Sequence, residues 1–422
     1  MTKLSNRIKS FLDNTLILFW IISGGGVLFV LARIPATAML FLYTLLLIIV
    51  YRPKIKNLLI NAYVYVILFV VLCMWVCYLF AVQPQDLSKY AYTLIVFILS
   101  GFLCIYFFSS FSYSNFLKSF YNGLNIIRIH AIASAILMPF LMGHTFIVTN
   151  EVSGFTAYTF KYLFFLKTDQ YAFNLFGKEI YRTQGLFWEP GVLQFYLVLL
   201  LFLQLYVIKS KTANILVTIF AIIICYSTTA FACMLLILSV YILNLIRKKF
   251  YAGIFTMLAF LAIIPLFISN FENKFQGEKV TSSRVRLYDF VEQFLVIKDY
   301  FLTGVGMDSG EYAIVRSKYR LSGSLADLSF NGEEVGSTNS IMLLLGTMGI
   351  FMGGFWIFAY TKQQFVRESG KKTILITFLI IGVSVEPLLL KPFFITFMIS
   401  GMMLMYIKFK YPHIKSLWKS EF

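Results

Sequence analysis

Twelve apolar blocks divide this chain, most of them roughly 16 to 24 residues long, which is the length of helix that crosses a bilayer. They cover residues 15–32, 36–50, 60–82, 90–108, 124–142, 191–208, 213–225, 229–245, 251–269, 339–360, 373–385 and 392–407. Hydrocarbon offers no partner to a backbone N–H or C=O, so such blocks satisfy their own hydrogen bonds as helices. The composition agrees. The chain is 59% hydrophobic and 13% charged, whereas a soluble domain carries about 25% charged residues. The pattern predicts an all-α polytopic membrane protein with about twelve transmembrane helices, forming a single membrane domain over residues 1–422. Lys3, Arg7 and Lys9 precede the first block, but no small-x-small cleavage site follows it cleanly. The block therefore reads as a retained span rather than a signal peptide.

Charge asymmetry predicts the orientation. With the N-terminus inside, the inner segments hold 20 of the 36 Lys/Arg and three of the 19 acids, namely Asp13, Glu368 and Glu421. The outer segments then hold 15 Lys/Arg and 16 acids, and Arg128 lies inside the fifth block. The positive-inside rule favours this arrangement, with both termini cytoplasmic. The net charge of +17 is spread over short inner loops. There it attracts anionic lipid and gives no sign of a nucleic-acid partner.

Several chemistries are disfavoured. The cysteines at 73, 77, 104, 225 and 233 all fall within apolar blocks and read as small buried side chains. His130, His144 and His413 are far apart and form no metal signature. No P-loop, dinucleotide fingerprint or nucleophile elbow is present.

Two outer segments are long, 143–190 and 270–338, and both are rich in aromatics and mixed charge. Residues 154–177 read as an interfacial segment on the outer leaflet. The expectation is of short helices within 154–177 and 284–300, walling a cavity that holds Arg182. The stretch "YRTQGLFWEPGV" (181–192) closes the first segment. Pro190 suits the first position of a helix, Glu189 its N-terminal dipole, and Trp188 the membrane interface. Arg182 and Gln184 are left over. A guanidinium at this level has the planar fork that binds phosphate or diphosphate.

In the second segment Arg284 and Arg286 open a helix, with Ser282 and Ser283 as N-cap candidates. Arg286 fits a helical surface pair with Asp289 or Glu292, and Arg284 fits a surface or a site role equally. Thr338 and Asn339 lie at the outer end of the tenth block, where they cap the helix or join the site. Glu386 and Lys391 flank the turn before the last block and fit a simple ion pair.

Four stretches together resemble the bacterial O-antigen polymerase and O-antigen ligase superfamily. "RTQGLFWEPGVLQFYLVLLL" is similar to its R-x-x-G-x-F-x-x-P segment leading into a span, and "CYSTTAFACMLLIL" to its S-x-S/T turn. "SSRVRLYDFVEQFLVIKDYFLTGVG" is similar to its arginine-bearing outer helix ending in G-x-G, and "GSTNSIMLLLGTMGIFMGGF" to its H-N-x-x-L segment. They occur in the family's order across roughly residues 180–360. The resemblance implies a helical bundle of the GT-C kind and a glycosyltransferase that uses neither metal nor cofactor. It implies donors carried on undecaprenyl diphosphate, residence in the bacterial inner membrane, and a chain-length regulator protein as a further partner. Arg182 and Arg284 are the positions matching the family's diphosphate-binding arginines. Gln184, Arg286, Thr338 and Asn339 are further substrate-binding candidates. Thr338 stands where ligases carry histidine, which favours polymerase over ligase and leaves Glu189 as the candidate base. A lipid-linked oligosaccharide flippase is the rival from another class. Its expected midplane charges are missing here apart from Arg128.

Overall fold

A computed structural model of the chain describes residues 3–150, 155–166, 171–175, 178–261, 280–319, 339–367 and 370–418, with single positions at 264, 265, 268 and 272. The N-terminal part runs α1 (Lys3–Ile22), α2 (Val27–Leu31), α3 (Arg33–Tyr51), α4 (Asn57–Leu79), α5 (Leu87–Ser110) and α6 (Tyr113–Leu141). Strands β1 (Phe146–Asn150), β2 (Phe155–Phe160), β3 (Phe164–Leu166), β4 (Tyr171–Leu175) and β5 (Lys178–Tyr181) follow. Then come α7 (Pro190–Phe202), α8 (Thr212–Cys225), α9 (Thr228–Lys248) and α10 (Phe250–Leu261). The last part holds α11 (Val280–Asp299), α12 (Ser309–Ser317), α13 (Ser340–Thr361), α14 (Lys372–Ser384) and α15 (Pro392–Lys410).

Among the described residues the chain is an all-α membrane protein apart from two small sheets. Among the described residues eight helices are long and apolar enough to cross a membrane: α3 to α6, α7 together with the wider helical turn Leu203–Val207 that continues it, α9, α13 and α15, with α8 and α14 as shorter apolar helices. Leu68, Leu72 and Trp75 on α4 are each more than half exposed. Side chains of this kind in a row would be a liability in water, and in lipid they meet the solvent they match. The first apolar block is not one helix. α1 stops at Ile22, and residues 23–26, "SGGG", turn into the short α2.

Two helices form the centre. Every residue of α7 is buried, and so is α15 from Pro392 to Leu404. Both open with proline, at a position where the missing N–H has no helical partner to lose. Trp20 of α1 packs between them and α5–α6, within 4.6 Å of Phe393, 5.1 Å of Phe107 and 5.7 Å of Phe120 by ring centroid. Its indole N–H donates to Thr396 Oγ1 at 3.1 Å, so the polar edge of the ring is satisfied inside the core. Arg128 of α6 donates from Nη1 to Asn214 O at 2.9 Å and to Thr218 Oγ1 at 3.0 Å. This ties α6 to α8, and the one cation within an apolar block is structural.

Residues 154–177 correct the expectation of short helices. β1, β2 and β3 make an antiparallel sheet and β4–β5 a hairpin. Lys161 and Tyr162 have φ of 49° and 57°, and Leu163 N donates to Phe160 O at 2.9 Å. That is a tight turn with two successive left-handed residues, and it joins the paired strands through a three-residue loop. The flanking "FTAYTF" and "FFL" are aromatic and β-branched, which suits a pleated surface. The sheet packs on α2 through Ala157, Phe165 and Val27, and His130 of α6 bonds Leu163 O at 2.8 Å.

The expected helix at 284–300 is present as α11. Its exit, "YFLTGVG", docks on a break in α13 at Gly349, where φ is 73°. Val305 N donates to Gly346 O at 2.9 Å, Gly306 N to Thr347 O at 3.0 Å, and Ile350 N to Phe301 O at 2.9 Å. The backbone groups freed by the break are thus taken up by the loop, as a membrane-level break requires. The same loop reaches the α4–α5 turn, where Asp308 pairs with Lys89 at 2.6 Å and accepts from Asp86 N at 3.1 Å.

A side chain at Gly349 would meet the Leu302 carbonyl and adopt a strained φ, whereas one at Gly354 meets nothing within 4 Å. Gly349→Ala is therefore expected to destabilise the protein by about 1–3 kcal/mol, and Gly354→Ala to leave it unchanged or slightly more stable. Thermal unfolding in detergent compares the two, and equal midpoints would exclude the docked break.

Candidate functional site

The site begins where β5 ends. Tyr181 closes the hairpin, and residues 182–188 then lie along the glycine turn after α1. Val27 N donates to Leu186 O at 2.9 Å and Trp188 N to Gly25 O at 3.2 Å. Gly185, at φ +56°, bends the chain back beneath them. Thr183 ties the same stretch to α6 and α8, through its hydroxyl to Ala131 O at 3.2 Å and its N–H to Ile224 O at 3.3 Å.

Arg182 is partly buried, and its Nε donates to Cys225 O at 3.3 Å. That carbonyl is free because α8 ends there: Tyr226 follows in the left-handed region at φ 47°. The turn is pinned to the first turns of α7 by Cys225 Sγ to Pro190 O at 3.0 Å and Ser227 Oγ to Gln194 Oε1 at 2.6 Å.

Glu386 approaches from the α14–α15 turn. Ser340 Oγ donates to Glu386 O at 2.5 Å and accepts from Leu388 N at 2.6 Å, which fixes that turn on the start of α13. The Glu386 carboxyl is buried and lies over Gly191 in the first turn of α7, so closely that a Cβ there would collide with its Oε1. Arg286, six residues into α11, reaches the same oxygen with Nη2 at 3.2 Å. Glu189 is the N-cap of α7, but its side chain makes no capping hydrogen bond. Arg182, Arg286, Glu189 and Glu386 all act electrostatically on one another's surroundings at this end of the bundle. Burial lowers Arg182, and Arg286 adds to that, while the charges of Glu189 and Glu386 oppose it. Burial and then Glu189 push the Glu386 carboxyl up to about 8, against the pull of Arg286 and Arg182. A helix N-terminus with two guanidiniums is suited to an anion, and Glu386 occupies that position here.

The arrangement revises the sequence reading in part. Arg286 is no surface pair with Asp289 or Glu292, because Arg316 of α12 takes both, at 2.6 and 3.8 Å. Lys391 does not pair with Glu386. Its Nζ lies 6.0 Å from the Trp188 ring centroid, and burial and then the Arg33 charge push it down to about 8. Asn339 caps α13, accepting from Ile341 N at 3.0 Å and Met342 N at 3.1 Å. Gln184 is buried, with neither amide atom hydrogen-bonded among the described residues. Arg284 lies in α11, but its side chain and the whole of Thr338 are outside the described residues. Glu386 escaped notice as a site residue because its partner is 100 positions away in sequence.

No family model, curated protein or solved structure matches the chain.

A carboxyl with a raised pKa that faces a bound anion takes up a proton on binding. Inorganic diphosphate is therefore expected to bind this cluster best below pH 8 and to lose affinity above it, by up to about tenfold per pH unit. Glu386→Gln flattens that dependence. Calorimetric titrations between pH 6.5 and 9.5 check this, and an unchanged slope in the variant would remove Glu386 from the anion site.

Proposed function

We propose that the protein is a metal-independent glycosyltransferase of the inner membrane that joins undecaprenyl-diphosphate-linked oligosaccharide repeat units into a longer polysaccharide. The observation that carries the reading is the bond from Arg286 to a buried carboxyl at the N-terminus of α7, with Arg182 near enough to act on that carboxyl electrostatically. It gains support from the resemblance given above, because segments far apart in the chain reach one end of the bundle. The "RTQG" stretch bonds the "CYST" turn, and Ser340 holds the turn carrying Glu386, which Arg286 contacts. The positive-inside balance puts this end on the periplasmic face, with both termini cytoplasmic.

The chemistry follows from charge. The acceptor hydroxyl attacks the anomeric carbon of the donor sugar while its proton passes to a carboxylate. The bond from that carbon to the diphosphate oxygen breaks, and undecaprenyl diphosphate leaves with the electron pair. Two guanidiniums and a helix N-terminus stabilise the charge growing on the leaving group in a site partly screened from water. Glu386 is bound to Arg286 and biased toward its protonated form, so Glu189 is assigned as the base. Arg286 takes the role that the resemblance alone gives to Arg284. Partners are the lipid-linked units themselves and a chain-length regulator. With threonine at 338 in place of the ligases' histidine, transfer to lipid A–core is the second reading.

Replacing Arg182 or Arg286 by lysine keeps the charge but loses the fork. Each lysine variant is expected to lose about 100-fold in rate at near-normal protein levels, and Arg286→Ala to fall at least as far as Arg284→Ala. Incubating purified protein with lipid-linked repeat units alone reads this out, since only a polymerase builds a ladder. Full-length ladders from Arg182→Ala and Arg286→Ala would sink the proposal, and no ladder from the wild type would favour the ligase reading.

A further inference from the structure

A cavity of about 790 Å³ opens at the other end of the bundle, where α13 and α15 finish. Five cations line it: Lys362, Arg367, Lys372, Lys408 and Lys415. Among the described residues no carboxylate lines it. Arg367 holds its guanidinium carbon 5.7 Å from the Tyr113 ring centroid, and its backbone carbonyl accepts from the Tyr113 hydroxyl at 3.1 Å. The four lysines have no ion-pair partner among the described residues. Lys362 Nζ lies 4.5 Å over the Phe358 ring, and burial and then the charges of Lys372 and Lys408 lower its pKa. Like charges gathered in one recess repel each other, so this cluster of lysines, unpaired among the described residues, favours a multiply charged anion.

The rest of the wall is apolar. Leu375 and Ile376 come from α14, and Leu404 and Met405 from α15. These helices belong to the membrane-crossing part of the bundle, so a recess with charge at its rim and aliphatic side chains below has the layout of a headgroup above its acyl chains. Soluble phosphates would use the lysines and leave the apolar wall idle.

We infer that this cavity is a binding site for an anionic phospholipid, with its phosphate held by Lys362, Lys372, Lys408 and Lys415 and an acyl chain against α14 and α15. The inference is independent of the reaction proposed above, because it uses none of the residues at the Arg182 end.

The test is lipid binding to the full chain in neutral detergent, followed by native mass spectrometry with cardiolipin, phosphatidylcholine and soluble tripolyphosphate as probes. Wild type is expected to retain cardiolipin and to bind phosphatidylcholine far more weakly. The triple variant Lys362→Gln, Lys372→Gln, Lys408→Gln should bind cardiolipin about a hundredfold more weakly. The matching Lys→Arg triple, which keeps the charge, should bind it as wild type does, and this separates site loss from misfolding. Equal cardiolipin binding by the Gln triple overturns the inference, as does failure of the Arg triple to bind. Preference for tripolyphosphate over cardiolipin would also overturn it and point to a soluble phosphate.

Discussion

The outer end of this bundle depends on how charge is held at the edge of lipid. A lone guanidinium or carboxylate there would cost several kcal/mol in desolvation, so each must be paired and hydrogen-bonded. The Arg286–Glu386 pair over Gly191 meets that demand and joins three parts of the chain that are remote in sequence. Because Gly191 has no side chain, Glu386 can approach the first turn of α7. Because Ser340 holds the Glu386 backbone, the carboxyl stays there. Remove the glycine, the serine or the arginine and the carboxyl has no place to sit.

This also explains why the scaffold beneath is rigid. α7 is buried along its whole length, and α15 is buried through Leu404. Their proline starts place Glu189 and Lys391 at the same end. The loop from α11 spans the break in α13 and the α4–α5 turn with backbone bonds, so the helix carrying Arg286 is anchored at its far end. The Arg316 pairs with Asp289 and Glu292 brace it from the side.

Features that sequence writes locally were legible in it. Apolar runs of spanning length became α3 to α6 and α9 because length and hydropathy need no distant partner. Asn339 caps its helix through bonds two and three residues away. What depends on distant contacts was misread. Arg286 looked paired to Asp289 or Glu292 by helical spacing, but Arg316 competes for both from α12. The aromatic run in 154–177 was expected to form short helices, because aromatics serve helices and strands alike, and the left-handed Lys161–Tyr162 turn that pairs it into strands carries no strong local signal. Glu386 appeared in the sequence as half of a short-range pair with Lys391, since nothing local reveals that α11 passes above it.

The central claim is that Arg182 and Arg286 form a clamp for a lipid diphosphate, with Glu386 standing in that place when no ligand is bound. A structure of the protein in lipid nanodiscs with a polyprenyl diphosphate bound tests it most directly. A phosphate is expected within about 3 Å of both guanidiniums and beside the first turn of α7, with the Arg286–Glu386 contact broken or lengthened. A diphosphate bound elsewhere, with that pair intact at 3.2 Å, would contradict it.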